Sequence, residues 1–485
     1  MKRSIFVTAI LVFATFTCIF SVSEDSSAEV TYDNGDALFG YATFGNGSND
    51  SPYRCTLLSV SDASDTLFIP AALDGHNVTE IAKNAMSGLT GVKNIVVPKT
   101  VKTIGDSAFP SDAESIYFLG DMPSGSIPES KVLHSPYAKN WTVGNEFETI
   151  ESTAKDGSSV RALVVSGSAV IIGGEASSEK HLTIPSDING IKVSSIGGYA
   201  FGADDVGNNA KTHRTDLIFV DIENGVEIIR ERAFFYQGDL TTMKLPDSIT
   251  VIMDEAFRSD KSLSKCDLPN SLETIGFETF RECRSLKVIL IPDSVTEMND
   301  GSFRLCGGAE TVIVGNGIRQ IPSNCFGYGS SLKEIRFSGD IDSIGGFAFY
   351  FSESLESFVV PDSVKTIGYA AFEECKSLSE VKFGNGLETI GVKAFTDCVC
   401  LSEIELPSSV KKIGNDAFWG CSSLTKVTLN SDPELGSKAF PVETELKYNV
   451  DDGNNTSVII AIVAIVIVVA ASIAFFLVKK HRHSE

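Results

Sequence analysis

Histidine is scarce in this chain, six in 485 residues, and only His76, His134, His181 and His213 fall between its two apolar ends, none spaced as a pair of metal ligands. The motifs that assemble chemistry are also missing. There is no His-Glu-x-x-His, no glycine-rich phosphate loop and no Gly-x-Ser-x-Gly elbow, so nothing points to a zinc peptidase, a P-loop nucleotide enzyme or a serine hydrolase. Carboxylates are plentiful but scattered through surface positions, and no two of them are singled out as acid and base. The sequence therefore supplies no catalytic residue, no cofactor-binding residue and no metal site. An enzyme is not expected.

Positive charge is in deficit: 40 Lys and Arg stand against 63 Asp and Glu, a formal charge of −23. Setting aside Lys2, Arg3, Lys479, Lys480 and Arg482 together with Glu24, Asp25 and Glu485 leaves the middle of the chain near −25. Such a field repels phosphate backbones, so no nucleic-acid partner is expected, and the acidic surface is read as keeping an extended exported protein soluble.

Charge is absent altogether from Val458 to Val478, 21 residues in which only Ser472 is polar. At about 1.5 Å per residue that length crosses a hydrocarbon core. Lys479, Lys480 and Arg482 follow it and Asp451 and Asp452 precede it, which places the C-terminus in the cytoplasm. At the other end, Lys2 and Arg3 lead an apolar run from Ile5 to Phe20, followed by small residues that allow cleavage near Ser23 or Ala28, the form of a secretory signal. The expectation is a single-pass membrane protein with its ectodomain outside and residues 479–485 as a tail too short to fold or catalyse. No Leu-Pro-x-Thr-Gly precedes the span, so a sortase-type wall linkage is not indicated.

Against these absences stands one regularity. Phenylalanine recurs every 23 residues at Phe234, Phe257, Phe280, Phe303, Phe326, Phe349, Phe372, Phe395 and Phe418. A unit of that length cannot bury its own apolar residues and must stack on its neighbours, so the chain is a solenoid with one hydrophobic column. Function is expected on its long exposed faces.

One unit runs from Leu401 through Ile404 and Leu406 to Pro407, then Val410, Ile413-Gly414 and Ala417-Phe418 to Cys421. The Ile-x-Leu alternation is that of a half-buried strand, ended by a proline that has no amide to donate. Asp or Asn with Ser then turns the chain, as at Pro246-Asp247-Ser248. Gly315-Asn316-Gly317 and Gly384-Asn385-Gly386 stand where proline is missing, and are expected to turn by taking positive φ. A second column, Ile249, Leu272, Val295, Ile318, Ile341, Val364, Leu387 and Val410, must point inward. Ile-Gly is expected to turn the coil, and a small residue before each phenylalanine to let the rings stack as a spine.

These residues resemble the BspA-like leucine-rich-repeat family, the 23-residue type whose unit ends Ser-Val-x-x-Ile-Gly-x-x-Ala-Phe-x-x-Cys-x-Ser-Leu. The match runs over Leu182 to Phe440, and a second, shorter one covers Leu67 to Phe118, where Met86 and Phe109 keep the spacing of 23. The resemblance implies a leucine-rich-repeat solenoid, mainly β, with one short parallel strand per coil, turns and short helical segments. It also implies adhesion to host or neighbouring-cell proteins such as matrix glycoproteins, although the motifs themselves are structural and carry no ligand information. The expected organisation is a signal peptide (1–28), a short repeat module with a closing unit (29–148), the main solenoid (149–445), an acidic linker (446–457), the membrane span (458–478) and the basic tail (479–485).

Cys283, Cys306, Cys375, Cys398 and Cys421 each follow a spine phenylalanine by three residues and so form one structural column. They are read as buried small hydrophobes, with disulfides between adjacent coils as the other reading. Asn46, Asn49, Asn77, Asn140, Asn454 and Asn455 begin glycosylation sequences that matter only in a glycosylating host. Between Phe201 and Phe234 ten extra residues fall within Gly202 to Asp216, either a binding loop or neutral length variation.

In the strand, the two residues flanking the buried Ile point away from the core. Through the middle coils they are apolar, and Val288, Leu290 and Ile313, with Arg336 and Val359 beyond, are the candidate ligand contacts. Toward the ends they are charged, as at Lys244, Lys265, Glu403 and Glu405. An apolar centre with a polar rim is the anatomy of a protein contact, although β-branched residues also simply suit strands. The functional expectation is a non-catalytic cell-surface protein that binds extracellular or cell-surface proteins or glycoproteins, without a cofactor. The alternative is a structural envelope component that self-associates.

Overall fold

The computed structural model describes residues 30–33, 37–44, 54–63, 65–73, 76–120, 123–127, 132–134, 149–165, 167–202 and 216–449. The signal peptide, the Val458–Val478 span, the basic tail and nearly all of the Gly202 to Asp216 insertion lie outside them. Among the described residues no helix is long and apolar enough to cross a membrane.

The chain starts a coil array twice, each time from three strands paired antiparallel in succession. In the first, Val30–Asp33, Leu38–Phe44 and Arg54–Ser61 pair antiparallel, and Arg54–Ser61 then pairs parallel with His76–Ile81 to begin the stack. In the second, Thr149–Thr153, Ser159–Val165 and Ser168–Glu175 do the same ahead of Ile191–Ile196. These pairs cover the open end of each apolar column, which a terminal coil would otherwise leave to water. Residues 154–158 are the turn between Thr149–Thr153 and Ser159–Val165.

Each coil carries two parallel ladders. The expected strand is one of them, as in Val288–Ile291, Thr311–Val314 and Glu334–Phe337. The Ile of Ile-Gly does not only turn the coil; it forms a second, two-residue strand, so that Thr274–Ile275 pairs with Glu297–Met298 and Thr366–Ile367 with Thr389–Ile390. Glycine after that Ile is needed because the coils approach closely there: a Cβ on Gly391 would lie 2.7 Å from the carbonyl of Gly368.

The third side also differs from expectation. Instead of short helical segments, each spine phenylalanine is flanked two residues either way by left-handed residues, such as Glu255 (φ 53°) and Ser259 (φ 66°) around Phe257. Alternating the backbone in this way aims successive amides along the solenoid axis. Glu255, Phe257 and Ser259 donate to the carbonyls of Phe277, Thr279 and Arg281 in the next coil at 2.8, 2.9 and 2.8 Å. A helix would have satisfied those groups within the coil and left nothing to hold coils together on this side.

The glycines of Gly315-Asn316-Gly317 and Gly384-Asn385-Gly386 do not take positive φ. They are required by close approach: a Cβ on Gly315 would lie 2.5 Å from the carbonyl carbon of Pro292, and one on Gly384 2.5 Å from that of Pro361. The turn serines span coils as well. Ser271, Ser294, Ser363 and Ser409 donate their hydroxyls at 2.7 to 2.9 Å to the carbonyls of Ile249, Leu272, Ile341 and Leu387 one coil back.

The core of the main array is one continuous cluster, containing the spine, the second column and the buried strand residues. The rings stack as read from the period: Phe372, Phe395 and Phe418 follow one another at 5.0 Å with planes 1 and 2° apart. Burying rings of this size on both faces is a large share of the hydrophobic driving force. The cysteine column is buried and free, and each thiol donates to the carbonyl of the spine phenylalanine in the preceding coil, Cys375 to Phe349 at 3.2 Å and Cys421 to Phe395 at 3.1 Å. The disulfide reading does not hold in this structure. Each sulfur has a backbone oxygen as partner, and the Cys398 thiol also lies beside those of Cys375 and Cys421.

Candidate binding face

The residues singled out from the sequence meet on the outer side of the longer-strand ladder. In Val288–Ile291 the pattern alternates, with Ile289 buried and Val288 and Leu290 57% and 52% exposed. Leu290 lies directly opposite Ile313, and Ile313 opposite Arg336, in one three-stranded parallel sheet. Strands are about 4.8 Å apart, so Val288, Leu290 and Ile313 form a single apolar cluster. Val359, 62% exposed, sits one coil further on in a separate two-stranded sheet with Glu380–Lys382, so it extends the row without sharing its hydrogen bonds.

Charge lies further along the ladder in cross-coil pairs. Lys244 reaches Asp221 at 2.9 Å, two coils before Leu290, and Lys426 reaches Glu403 at 3.4 Å, five coils after Thr311. Arg336 is held by Glu334 at 2.7 Å, which fixes its guanidinium beside Ile313. These exposed pairs contribute little stability, and their effect is neutralised polar flanks on either side of an apolar centre.

Among the described residues no three His, Cys, Asp or Glu side chains are placed to hold a metal ion. An open groove of about 820 Å³ runs past Phe277, Met298, Asp300, Arg319 and Ser323. Its charged walls are committed to structure: Asp300 accepts the Ser323 amide at 2.9 Å, and Arg319 makes a bidentate pair with Asp342.

Two features were not legible in the sequence. The first is a junction between the two arrays, where the amide of Ala71 donates to Glu231 at 2.9 Å and Tyr199 donates to Asn77 at 3.1 Å. Arg232, buried, joins Asn77, Tyr199 and Glu255. Burial raises the Glu231 carboxyl above its ordinary value, against the pull of Arg230 and the Ala71 amide. The void left there is about 20 Å³, room for one water at most. The second is a group of rings on the turn side, Tyr328, Phe347, Tyr350, Phe351 and Tyr369. Aromatic residues filling columns that hold small or charged residues in other coils was the signal that could have found it.

Five stretches of the chain, residues 72–183, 126–263, 204–333, 250–378 and 342–458, match the family model of the BspA type leucine rich repeat region, in six copies. No curated protein matches the chain. Among solved structures, a leucine-rich repeat protein from Bacteroides ovatus is 22% identical, with 89% of this chain and 100% of that one covered and a TM-score of 0.42. The pneumococcal vaccine antigen PcpA is 21% identical over 64% of this chain and 91% of its own, at a TM-score of 0.41. A leucine rich cell surface protein from Faecalibacterium prausnitzii is 17% identical over 89% and 97%, at 0.32.

Proposed function

We propose that this chain, which belongs to the BspA-type leucine-rich-repeat family, is a non-catalytic surface protein that presents a docking face for a protein ligand outside the cell. The observation that carries this reading is the apolar row of exposed Val288 and Leu290 beside half-buried Ile313, on a ladder whose ends are ion-paired. A soluble face has no reason of its own to keep three such side chains in contact, and their removal from water by a partner is favourable at about 25 cal/mol per Å². Adhesion to a host or neighbouring cell is the role that suits an exported solenoid held by the Val458–Val478 span. Self-association in the envelope is the second reading, favoured by Cys400, an exposed thiol.

The test is capture of surface glycoproteins from cells of its habitat by the full chain, repeated with Leu290→Asp and Ile313→Asp. Neither change empties a cavity, and both place a charge in a desolvated contact, so binding should be lost while the melting curve is kept. Wild-type capture by both variants would dismiss the face. Capture of the chain by itself, blocked by Cys400→Ser, would favour the second reading.

A further inference from the structure

The turn side of the main array changes character along its length. Around Phe280 the left-handed and adjoining positions hold Glu278, Arg281 and Glu282, linked by ion pairs. Two coils later, from Phe326 onward, aromatic residues begin to replace them. Tyr328 stacks on Phe351 at 5.6 Å and meets Tyr350 edge-on at 5.1 Å; Phe347 meets Tyr350 at 5.4 Å and Tyr369 at 5.0 Å. The five rings are contiguous and fixed by one another. Tyr369 is 45% exposed and the other four are half-buried.

Folding does not account for them. Tyr328, Phe347 and Phe351 stand at φ of 62, 56 and 58°, where a bulky side chain is strained, and equivalent positions are served by Asn324, Ala370 and Asp397. The spine rings beneath are already covered. An aromatic surface kept at such positions is a contact surface.

Charge decides what it contacts. Glu373 and Glu374 border Tyr350, with Asp397 and Glu353 next to them; against these four carboxylates stand three cations, Lys376, Lys393 and, at the Tyr328 end, Arg304. The rings already hold cations, Lys376 5.3 Å over Phe351 and Arg304 5.4 Å over Tyr328. At its N-terminal end the same side makes the junction between the arrays, where Arg230 lies 3.8 Å over Phe68 of the first array, and within the second array Arg232 lies 5.0 Å over Phe235. Guanidinium on an aromatic face, bordered by carboxylate, is the contact this side of the solenoid already uses.

We infer that the shelf of Tyr328, Phe347, Tyr350, Phe351 and Tyr369, bordered by Glu373 and Glu374, is a second docking site, for an arginine- or lysine-bearing segment of a partner protein. It is separate from the strand face and does not depend on it.

The experiment measures binding of a fluorescent Arg-Gly decapeptide to the full chain in detergent, beside a Ser-Gly decapeptide and a neutral β-glucan. The Arg-Gly probe should bind and the Ser-Gly probe should not. Tyr350→Ala with Tyr369→Ala should weaken the Arg-Gly probe about tenfold, the scale of two lost cation–ring contacts. Glu373→Gln with Glu374→Gln should weaken it and flatten its salt dependence. Tyr350→Leu with Tyr369→Leu keeps the packing volume and should behave as the alanine pair does, which separates ring loss from unfolding. Val442→Ser, at an exposed position remote from both faces, should leave binding of the Arg-Gly probe unchanged. No binding by the wild type, or equal binding by the leucine pair, would overturn the site, since the second result leaves only general acidity. Ring-dependent binding of the glucan instead of the peptide would also overturn it.

Discussion

The thiol of Cys398 donates to the carbonyl of Phe372 at 3.1 Å, so the cysteine column and the phenylalanine spine are one device repeated along the stack. The slot demands a small donor that tolerates full burial. Where cysteine is replaced, Gln237 meets the same need by donating its side-chain amide to Phe201. Asp260 meets it poorly: one oxygen accepts the Gln237 amide at 2.7 Å, the other has no hydrogen-bond partner, and burial pushes its carboxyl well above the ordinary range.

Asp260 should therefore make stability depend on pH. A carboxyl whose folded pKa is raised stabilises fully below its unfolded value and loses that contribution as pH rises toward the folded one, at about 1.4 kcal/mol per pH unit. Asp260→Asn keeps the acceptor for Gln237 and carries no charge. Melting of variant and wild type should coincide near pH 3, and the variant should gain steadily from about pH 4 upward. Parallel curves over that range would show that Asp260 is not buried as an acid.

Phe349→Ala should cost about 3 to 5 kcal/mol, the range for emptying an aromatic core site. The ring stacks on Phe326 at 5.7 Å and Phe372 at 5.1 Å and meets Phe358 at 5.4 Å, so three neighbours lose a partner. Denaturant unfolding measures the loss. An unchanged midpoint would place the ring outside the core.

Arg232→Ala leaves Glu255 buried with Arg258 as its remaining partner and takes a donor from Asn77. Breaking a buried pair on one side costs about 3 to 5 kcal/mol. The first array should separate from the second, so that the Ala71 amide, which donates to Glu231, exchanges faster with solvent while the cooperative melt of the remaining coils persists. Unchanged exchange at Ala71 would mean that the ion cluster does not hold the junction.

Gly384→Ala should destabilise by about 1 to 3 kcal/mol through overpacking, because its Cβ would lie 2.5 Å from the carbonyl carbon of Pro361. Hydrogen exchange should show the loosening at Asn385, whose amide bonds Asp362 at 2.7 Å. If positive φ were the requirement instead, Gly384→Asn would be tolerated; it should be as damaging as alanine.

What the sequence determined by itself follows from the period. Contacts between one coil and the next join residues 23 apart, so the stacked rings, the inward column ending at Val410 and the outward Leu290 and Ile313 all repeat at that interval and could be read in register. Ladders and turns that depend on backbone direction were misjudged within that frame: the second strand at Thr366–Ile367 and the left-handed pair around Phe349 leave no residue-type signal, since Phe347, Ala370 and Lys393 all occupy the same conformation. Only the tertiary structure decided the junction of Ala71 with Glu231, 160 residues apart, and of Asn77 with Tyr199, 122 apart. Those contacts occur once, between surfaces that no repeat relates, where the second array buries Tyr199, Glu231 and Arg232 against the Ala71 amide and the Asn77 side chain of the first. Periodic packing is written in the spacing of residues along the chain; a contact made once is written only in the surfaces that folding brings together.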